Sequence, residues 1–513
     1  MKDYDILLID PPMKHFNEGA FKYGALSLAS ENVDSKVFNP GLLSIGTYLL
    51  SKNFSVKLVH ILHEKDIKAQ LKKIIQWGTP KMIGISCSYM HTYLPSLYIA
   101  EECRKMFNDA IIVSGGAHIG NIPAVALNLC SSIDIIVEGE GELAEEKLIH
   151  CIKYDKNEIN QIGNIYFRKS MIEKFPALDL KKFKNVIRDE FISYNEVQSY
   201  IENDIFMSKH KEPLIDINEL PYIKYDLYEN HLSYPAYVEE SRGCYGKCRY
   251  CVASIQNTYR YKDSQRFLDE LDYAIKIYGE NNLFPFTSAT FGVNAENTIK
   301  ICKGIIERHP NLKWTSEFRL DLPWEKYIDI MYKSGCRGFA IGLESASPRI
   351  LEMMNKTTNP DLYLNKAKAL ISKLSEFPDA IIHLNLMVYY GEDSISTIDN
   401  LKFITSHFNS ISSVHYSPLI LFAGTNAWHD FMDMHEKYGT TIVKNETYDV
   451  LCSYPINPSW LFTCDDVGYF SKVIEKLFIE KDGYMKYHET RLARNEQGSI
   501  SSSSKTAFIK SMI

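Results

Sequence analysis

Two series of short apolar segments alternate with helical segments along this chain, and this alternation predicts an α/β fold. Within residues 1–150, five segments resemble buried strands: YDILLID, SVKLVHI, MIGISC, AIIVSGG and IDIIVEGEGE. Helical segments such as NPGLLSIGTYLLSK and LPSLYIAEECRKMF lie between them. Nearly continuous apolar strands joined by helices predict a doubly wound, five-stranded parallel sheet that is covered on both faces. Ligands of such sheets bind at the carboxyl ends of the strands.

The second series begins near residue 235, and its strand-like segments are PAYVEESRG, LFPFTSATF, LKWTSEF, RGFAIGLES, AIIHLNLMVYY and SSVHYSPLI. Six strand and helix units predict a partial (β/α)6 barrel, whose chemistry belongs at the carboxyl ends of its strands. We therefore expect a first domain at 1–150, a connector at 151–234 and the barrel at 235–428. Residues 429–513 are expected to form a small, mainly helical cap region and a tail.

Composition and charge restrict the class of protein and its partners. The 513 residues include 57 basic and 64 acidic side chains, a net charge of −7, so the chain lacks a bulk basic surface for nucleic acid. We see no signal-peptide pattern and no run of 18 or more apolar residues that would span a bilayer. The expected location is the cytoplasm, where reducing conditions predict that the eleven cysteines are free or bind a metal.

Three cysteines are clustered in the stretch SRGCYGKCRYC, directly after the first barrel strand. Cys244, Cys248 and Cys251 have the spacing C-x3-C-x2-C. A structural zinc site needs four ligands, usually as C-x2-C pairs with a second pair further on. The loop contains no histidine, and His231 upstream is the candidate that would complete a zinc site. In a [4Fe–4S] cluster, three cysteines leave one iron open to bind a substrate or cofactor.

This motif resembles the signature of the radical S-adenosylmethionine (SAM) superfamily, C-x3-C-x-aromatic-C, with Tyr250 as the aromatic residue. SRGC is similar to the opening found in the cobalamin-associated branch. The resemblance implies a [4Fe–4S] cluster on Cys244, Cys248 and Cys251, with SAM bound to the open iron through its amino and carboxylate groups. An electron then releases a 5′-deoxyadenosyl radical that abstracts hydrogen from an unactivated position. An electron donor such as flavodoxin or ferredoxin is implied as a partner.

Further barrel segments carry the same resemblance. GCRGFAIGLESASPRILEMMNK is similar to the fourth strand and following helix of the family, which implies that Glu344 and Ser345 contact SAM. LMVYYGED resembles the fifth-strand turn, where Gly391 is expected beside SAM and Tyr390 replaces the usual proline. PLILFAGT matches the sixth-strand region. The second-strand segment departs from the family, because Ser288 stands where an acidic residue is frequent.

The first domain resembles the cobalamin-binding domain that precedes many radical SAM barrels, on the segments VSGGAHIGNIPAVAL and DIIVEGEGE. Gly115 and Gly116 follow an apolar strand and would let a large ligand approach the backbone, since no Cβ blocks it. Ser86 and Ser88 follow the third strand and are expected to bond the nucleotide tail or the corrin amides.

The Asp-x-His-x-x-Gly loop that provides a histidine ligand to cobalt in other cobalamin proteins is missing. His15, His91 and His118 lie in strand-end loops but not in that motif. If cobalamin binds, we expect its dimethylbenzimidazole tail to leave cobalt without a histidine replacing it. A histidine in such a loop is more often a surface or packing residue.

Together these resemblances imply a cobalamin-dependent methyltransferase that acts on an unactivated carbon of a small-molecule or natural-product substrate. Alternatives are a cyclisation, oxidation or rearrangement with the same cofactors, and a noncatalytic iron–sulfur or zinc-binding protein. A tRNA methylthiotransferase shares some barrel segments, but the acidic chain lacks the charge for RNA binding. No evident module for binding a peptide leader is present, which favours a small molecule over a peptide.

Overall fold

The computed structural model describes residues 3–13, 37–186, 204–256, 258–443 and 451–479. His15 and the tail beyond residue 479 lie outside the described residues. The α-helices are α1 (Pro40–Ser51), α2 (Ile67–Ile74), α3 (Met90–Met106), α4 (Pro123–Leu129), α5 (Glu142–Lys153), α6 (Ala253–Gln256), α7 (Ser264–Tyr278), α8 (Ala295–Arg308), α9 (Ile328–Lys333), α10 (Pro348–Met353), α11 (Pro360–Ser375), α12 (Ser394–Ser406), α13 (Asn426–Tyr438) and α14 (Cys464–Ile479). Within these described helices, none is both long enough and apolar enough to cross a membrane.

The strands fall into four sheets. Their bounds are β1 (Tyr4–Asp10), β2 (Val56–His60), β3 (Pro80–Ser86), β4 (Ile111–Gly115), β5 (Ile135–Val137), β6 (Ile165–Arg168), β7 (Phe183–Asn185), β8 (Ile205–Ser208), β9 (Val238–Glu239), β10 (Ser241–Arg242), β11 (Arg260–Tyr261), β12 (Leu283–Thr287), β13 (Lys313–Phe318), β14 (Cys336–Glu344), β15 (Ile381–Val388), β16 (Ser413–Pro418), β17 (Ile420–Phe422), β18 (Thr441–Ile442) and β19 (Ser453–Asn457).

The first sheet has the strand order β2-β1-β3-β4-β5-β6-β8-β7. Strands β1 to β5 pair in parallel, which confirms the predicted doubly wound unit. Every residue of β1 is buried. Ile6 and Leu8 pack into one apolar cluster, and Leu7 and Ile9 pack into another on the opposite face. The unbroken apolar pattern of this strand therefore reflects burial on both faces of the sheet.

Strands β6, β8 and β7 extend this sheet in antiparallel orientation. They come from the segment 151–234, which the sequence analysis treats as a connector with no predicted strand. Each has only three or four residues, and β6 alternates buried with half-buried positions. Such short strands give too little periodicity to be recognised in a polar segment.

The second large sheet has the order β16-β15-β14-β13-β12-β9, with all neighbours parallel. All six predicted strands are present in sequence order with helices between them, which confirms the partial (β/α)6 barrel. A separate two-stranded sheet of β10 and β11 follows the first barrel strand. The region predicted as a mainly helical cap contains α14 and also supplies β18 and β19, which form a small antiparallel sheet with β17.

Aromatic residues join the first sheet to the barrel. The ring of Phe38, just before α1, stacks on Tyr234 with centroids 4.8 Å apart and meets Tyr228 edge-on at 5.0 Å. These residues belong to one apolar cluster that also contains Ile6 of β1 and Phe286 of β12. A continuous core of this kind holds the two sheets in one orientation, so residues at their strand ends have defined positions.

Candidate active site

The cysteine loop leaves the barrel after β9 and is anchored by the β10 and β11 pair. Gly243 has a φ of 73°, a left-handed conformation that favours glycine. A Cβ at this position would lie 2.0 Å from the carbonyl oxygen of Thr258, so a side chain there would collide with the neighbouring backbone. The glycine of SRGC is therefore required by the close approach of these two segments, immediately before Cys244.

The three predicted cluster cysteines lie together on this loop. Cys244 and Cys248 are buried, and Cys251 is half-buried. Burial raises the pKa of Cys251, and the nearby Cys248 and Cys244 thiols raise it further. The backbone N–H of Gly246 donates to Cys244 Sγ at 3.3 Å. The three thiols are thus close enough to interact electrostatically.

Arg319, at the end of β13, supplies positive charge to this group of thiols. Its guanidinium is buried and donates from Nη1 to Cys248 Sγ at 3.1 Å. Asp321 holds the same guanidinium through Nη2 at 2.8 Å, and Tyr245 lies under it. The sequence analysis did not identify Arg319, and only its place at the carboxyl end of a barrel strand could have suggested it.

The donor set fits an iron–sulfur cluster better than a single metal ion. A structural zinc ion needs four ligands around one centre, whereas the cysteine loop supplies three thiols. In a [4Fe–4S] cluster each thiolate binds a different iron, so the sulfurs need not converge. Three thiols beside a fixed guanidinium match that chemistry.

Glu344 ends β14 close to the cysteine loop. It has a φ of 66°, an unusual backbone conformation for a residue other than glycine and one that concentrates at functional sites. Its Oε1 accepts a hydrogen bond from Lys356 Nζ at 3.0 Å. Burial raises the pKa of Tyr250, and the Glu344 carboxylate adds to that shift, which locates Glu344 beside the loop. Contact of Glu344 with SAM stays a prediction.

The other two predicted SAM contacts have structural tasks. Ser345 is fully buried, and its hydroxyl bonds Asn400 Oδ1 at 3.3 Å and accepts from the N–H of Ser347 at 3.1 Å. Gly391 has a φ of 60°, and a Cβ there would lie 2.7 Å from the ring of Tyr438. Both residues shape turns at the strand ends, and contact with SAM stays a prediction for each.

A cavity of about 300 Å³ opens at the carboxyl end of the first sheet. Its lining includes all four residues predicted to contact cobalamin and two residues of the segment that precedes Cys244, namely Ser86, Ser88, Gly115, Gly116, Arg242 and Gly243. The predicted residues of the first domain are thus brought together, and the cysteine loop of the barrel borders the same space.

The predicted cobalamin residues differ in what they do at this edge. A Cβ on Gly116, where φ is 120°, would lie 2.7 Å from the Cys87 carbonyl group, so this glycine lets two loops pack together. A Cβ on Gly115, which lines the cavity, would be in ordinary van der Waals contact with Val137, 3.4 Å from its carbonyl oxygen. Ser86 Oγ accepts from Asn39 Nδ2 at 2.8 Å. Gly115 is therefore the position where bulk would fill the cavity without forcing the backbone to move.

Arg242 connects the two domains beside the cavity. Its guanidinium bonds Glu142 Oε1 at 2.8 Å, Glu140 Oε2 at 3.2 Å and Glu239 Oε1 at 2.9 Å. It also donates to Ser44 Oγ at 2.8 Å. This cluster was not predicted, although the arginine of SRGC and the three glutamates of EGEGE, two of which pair with Arg242, are visible in the sequence. Nothing in the sequence indicates that these two motifs meet.

A second cavity of about 330 Å³ lies between the first domain and the barrel. Tyr89, His91 and His118 line it from the first domain, and Val252 and Phe422 line it from the barrel side. Burial lowers the pKa of His118 to about 4, and the nearby His91 acts in the same direction. His118 is therefore neutral near pH 7, and any role of either histidine toward cobalt stays untested.

Comparison with known proteins identifies both domains. Residues 238–404 match the radical SAM superfamily, and residues 27–149 match the B12 binding domain. The chain is a radical SAM enzyme with a cobalamin-binding domain. These matches confirm the predicted cofactors, a [4Fe–4S] cluster, SAM and cobalamin. The residues that bind each cofactor remain predictions.

Three proteins that are similar to this radical SAM enzyme extend the comparison. An uncharacterised methyltransferase of Pyrococcus horikoshii is 26% identical over 396 residues, which cover 74% of this chain and 75% of that protein. The radical SAM methyltransferase TsrM of Kitasatospora setae, solved with cobalamin and a [4Fe–4S] cluster, has a TM-score of 0.64 at 15% identity, with 87% and 81% of the chains covered. The cobalamin-dependent SAM radical enzyme OxsB has a TM-score of 0.67 at 15% identity, covering 92% and 66%. Both structures share the fold of this enzyme.

Proposed function

We propose that this radical SAM enzyme methylates an unactivated carbon of a small-molecule substrate with cobalamin as the methyl carrier. The observation that carries the proposal is the shared lining of the first cavity, which includes Ser86 and Gly115 of the cobalamin-binding domain and also Arg242 and Gly243. Gly243 directly precedes Cys244. The proposed cobalamin site and the proposed cluster site are therefore neighbours across one domain interface.

The cofactors supply the radical and the methyl group when bound, and the chain binds and positions them. We assign the cluster to Cys244, Cys248 and Cys251. Arg319 donates a hydrogen bond to one of these sulfurs, and the Glu344 carboxylate lies next to the loop for contact with SAM. Domain 1–150 is assigned to cobalamin and domain 235–428 to SAM.

A small molecule is the proposed substrate class. TsrM has been solved with its tryptophan substrate and a SAM analogue bound. Because TsrM shares its fold with this enzyme, the search for a substrate starts from ligands of similar size.

Each of the eleven cysteines is free of disulfide bonds, in agreement with the proposed reducing, cytoplasmic location. A flavodoxin or ferredoxin is the proposed electron donor.

The test is an anaerobic assay of the reconstituted enzyme with cobalamin, reductant and SAM carrying a deuterated methyl group. Candidate small molecules are supplied as a mixture, and product masses are recorded. We expect a product that carries the labelled methyl group, together with S-adenosylhomocysteine and 5′-deoxyadenosine. A product without the label would contradict methyl transfer and favour a cyclisation or rearrangement. An enzyme without added cobalamin is the control and should yield no labelled product.

Gly115→Val is expected to weaken cobalamin binding at least tenfold, because the side chain would occupy the cavity that Gly115 borders. Valine suits the strand conformation of β4, so the sheet should be retained. The measurement is a spectral titration with hydroxocobalamin, and the iron content serves as the control because the cysteine loop is unchanged. Cobalamin binding equal to that of the wild type would contradict the assignment of this cavity.

A further inference from the structure

Glu145 lies on α5 and lines the first cavity with a carboxyl group that has no evident task in the fold. The residue is only 5% exposed, and its Oε2 has no hydrogen-bond partner within the described part of the chain. Cβ atoms built on Gly84 and Gly141 would lie 3.6 Å and 3.7 Å from its two oxygens. These two glycines place no side chain beside the carboxyl group, which is part of the cavity wall.

The other carboxylates that line the cavity are compensated by positive charge. Glu142 and Glu239 bond Arg242, and Glu140 bonds both Arg242 and Arg260. Within the described residues no cation contacts Glu145, although it is held one helical turn from Glu142. An ionised Glu145 would be a buried, uncompensated charge, which is strongly unfavourable.

The protonation state follows from this environment. Burial raises the pKa of Glu145 to about 8, and the negative charge of Glu142 acts in the same direction. At pH 7 the side chain is therefore mainly a neutral carboxylic acid with one O–H donor. Ser86 and Ser88 line the same cavity, their hydroxyls are 3.2 Å apart, and Ser86 accepts from Asn39. Glu145 is thus a donor that the fold itself does not use.

We infer that Glu145, as the uncharged acid, donates a hydrogen bond to an acceptor atom of the nucleotide tail of cobalamin. This inference rests on the proposed assignment of the first cavity to that cofactor. A volume of about 300 Å³ is small for a ligand pocket and suits one arm of a large cofactor better than the whole. The tail offers phosphate, ribose and ring-nitrogen acceptors, and an ionised Glu145 would repel the phosphate.

A pH dependence of cofactor affinity follows from this arrangement. Deprotonation removes the donor and adds a negative charge, so affinity is highest below the pKa of Glu145 and falls above it. For a pKa near 8, binding that requires the acid form weakens about tenfold between pH 7 and pH 9. Glu145→Gln keeps a neutral donor of similar shape, and Glu145→Leu removes the donor at similar volume.

The experiment is an anaerobic spectral titration of the cluster-reconstituted full chain with hydroxocobalamin at pH 7 and pH 9. We expect the wild-type dissociation constant to rise about tenfold, the E145Q constant to change less than about twofold, and E145L to bind at least tenfold more weakly at pH 7. Dicyanocobinamide, which lacks the nucleotide tail, is the control ligand. Wild type, E145Q and E145L should bind it with similar dissociation constants at both pH values.

Several results would overturn the inference. If wild type and E145L bind cobalamin equally at pH 7, or if E145Q shows the same pH dependence of affinity as wild type, Glu145 has no role in binding. The assignment of the cavity to cobalamin would still stand. An equal loss of cobalamin and dicyanocobinamide affinity in E145L shows that the tail is not the group recognised. Failure of the wild type to bind cobalamin removes the cavity assignment as well, so the two failures are distinguishable.

Thermal unfolding of the cobalamin-free protein tests the protonation state independently of ligand. An acid whose pKa is raised by folding loses stability as pH rises above its ordinary value of 4.5. We therefore expect E145Q to unfold at a higher temperature than wild type at pH 9 and at a similar temperature near pH 5. The same difference in unfolding temperature between wild type and E145Q at pH 5 and at pH 9 would contradict a buried Glu145 that titrates in this range.

Discussion

Replacement of Cys248 by alanine is expected to abolish the reduced iron–sulfur EPR signal and to lower 5′-deoxyadenosine formation more than a thousandfold, because three thiolates are the minimum protein ligand set for such a cluster. Cys248 is buried and is the thiol that accepts from Arg319. The measurement is iron content, EPR of the dithionite-reduced protein and turnover of SAM. Binding of cobalamin should remain, since its proposed site lies in the other domain.

A matched cysteine gives the control. Cys302 is fully buried in α8 of the barrel, and burial raises the pKa of its thiol to about 12, so it is a packing residue. Cys302→Ala should cost about 1 kcal/mol of stability and leave the cluster intact. Equal loss of iron in both variants would show that Cys248 acts through folding of the barrel, which contradicts its assignment as a ligand.

Arg242→Met is expected to destabilise the enzyme by about 3–5 kcal/mol, because it leaves buried carboxylates without their cation. Glu142 and Glu239 are 4% and 8% exposed, and both are bonded to this guanidinium. The ion-pair group spans the interface of the two domains, so the second expected result is weaker cobalamin binding. Thermal unfolding and hydroxocobalamin titration measure the two effects.

Arg337→Met is the matched control for Arg242→Met. Arg337 pairs with Asp379, whose side chain is 55% exposed, and pairs of this kind contribute about 1 kcal/mol or less. A double variant, Arg242→Met with Glu142→Gln, should recover part of the lost stability because one of the stranded charges is removed. Equal shifts of the unfolding temperature in R242M and R337M would contradict the proposed role of the Arg242 ion-pair group at the domain interface.

Much of the fold could be predicted because burial leaves a direct pattern in the sequence. The five parallel strands of the first sheet and the six of the barrel all occur at the predicted segments. β6, β7 and β8 were not predicted, since three or four residues give no usable period. The small sheet of β17, β18 and β19 was not predicted either, since its strands have only two to five residues.

The candidate site could be predicted where chemistry depends on spacing along the chain. Cys244, Cys248 and Cys251 lie on one loop, so their separation in sequence restricts their separation in space. Arg319 and Lys356 were not predicted, because Arg319 reaches the cysteine loop from the end of another barrel strand and Lys356 returns to Glu344 from the connection after α10. Ser345 shows a contact that its motif does not reveal, since its hydroxyl bonds Asn400 inside the barrel, and its contact with SAM stays a prediction.

The sequence by itself determined the two α/β domains, their order, the cysteine motif and the cofactors that the family matches confirm. These features depend on hydrophobic periodicity and local spacing, which are properties of the chain. Only the tertiary structure decided that Arg242 meets Glu140 and Glu142, and that Glu145 lines the same cavity with no cation in contact with it among the described residues. Contacts between residues about 100 positions apart depend on how two domains pack, and the charge state of a buried acid depends on every group around it.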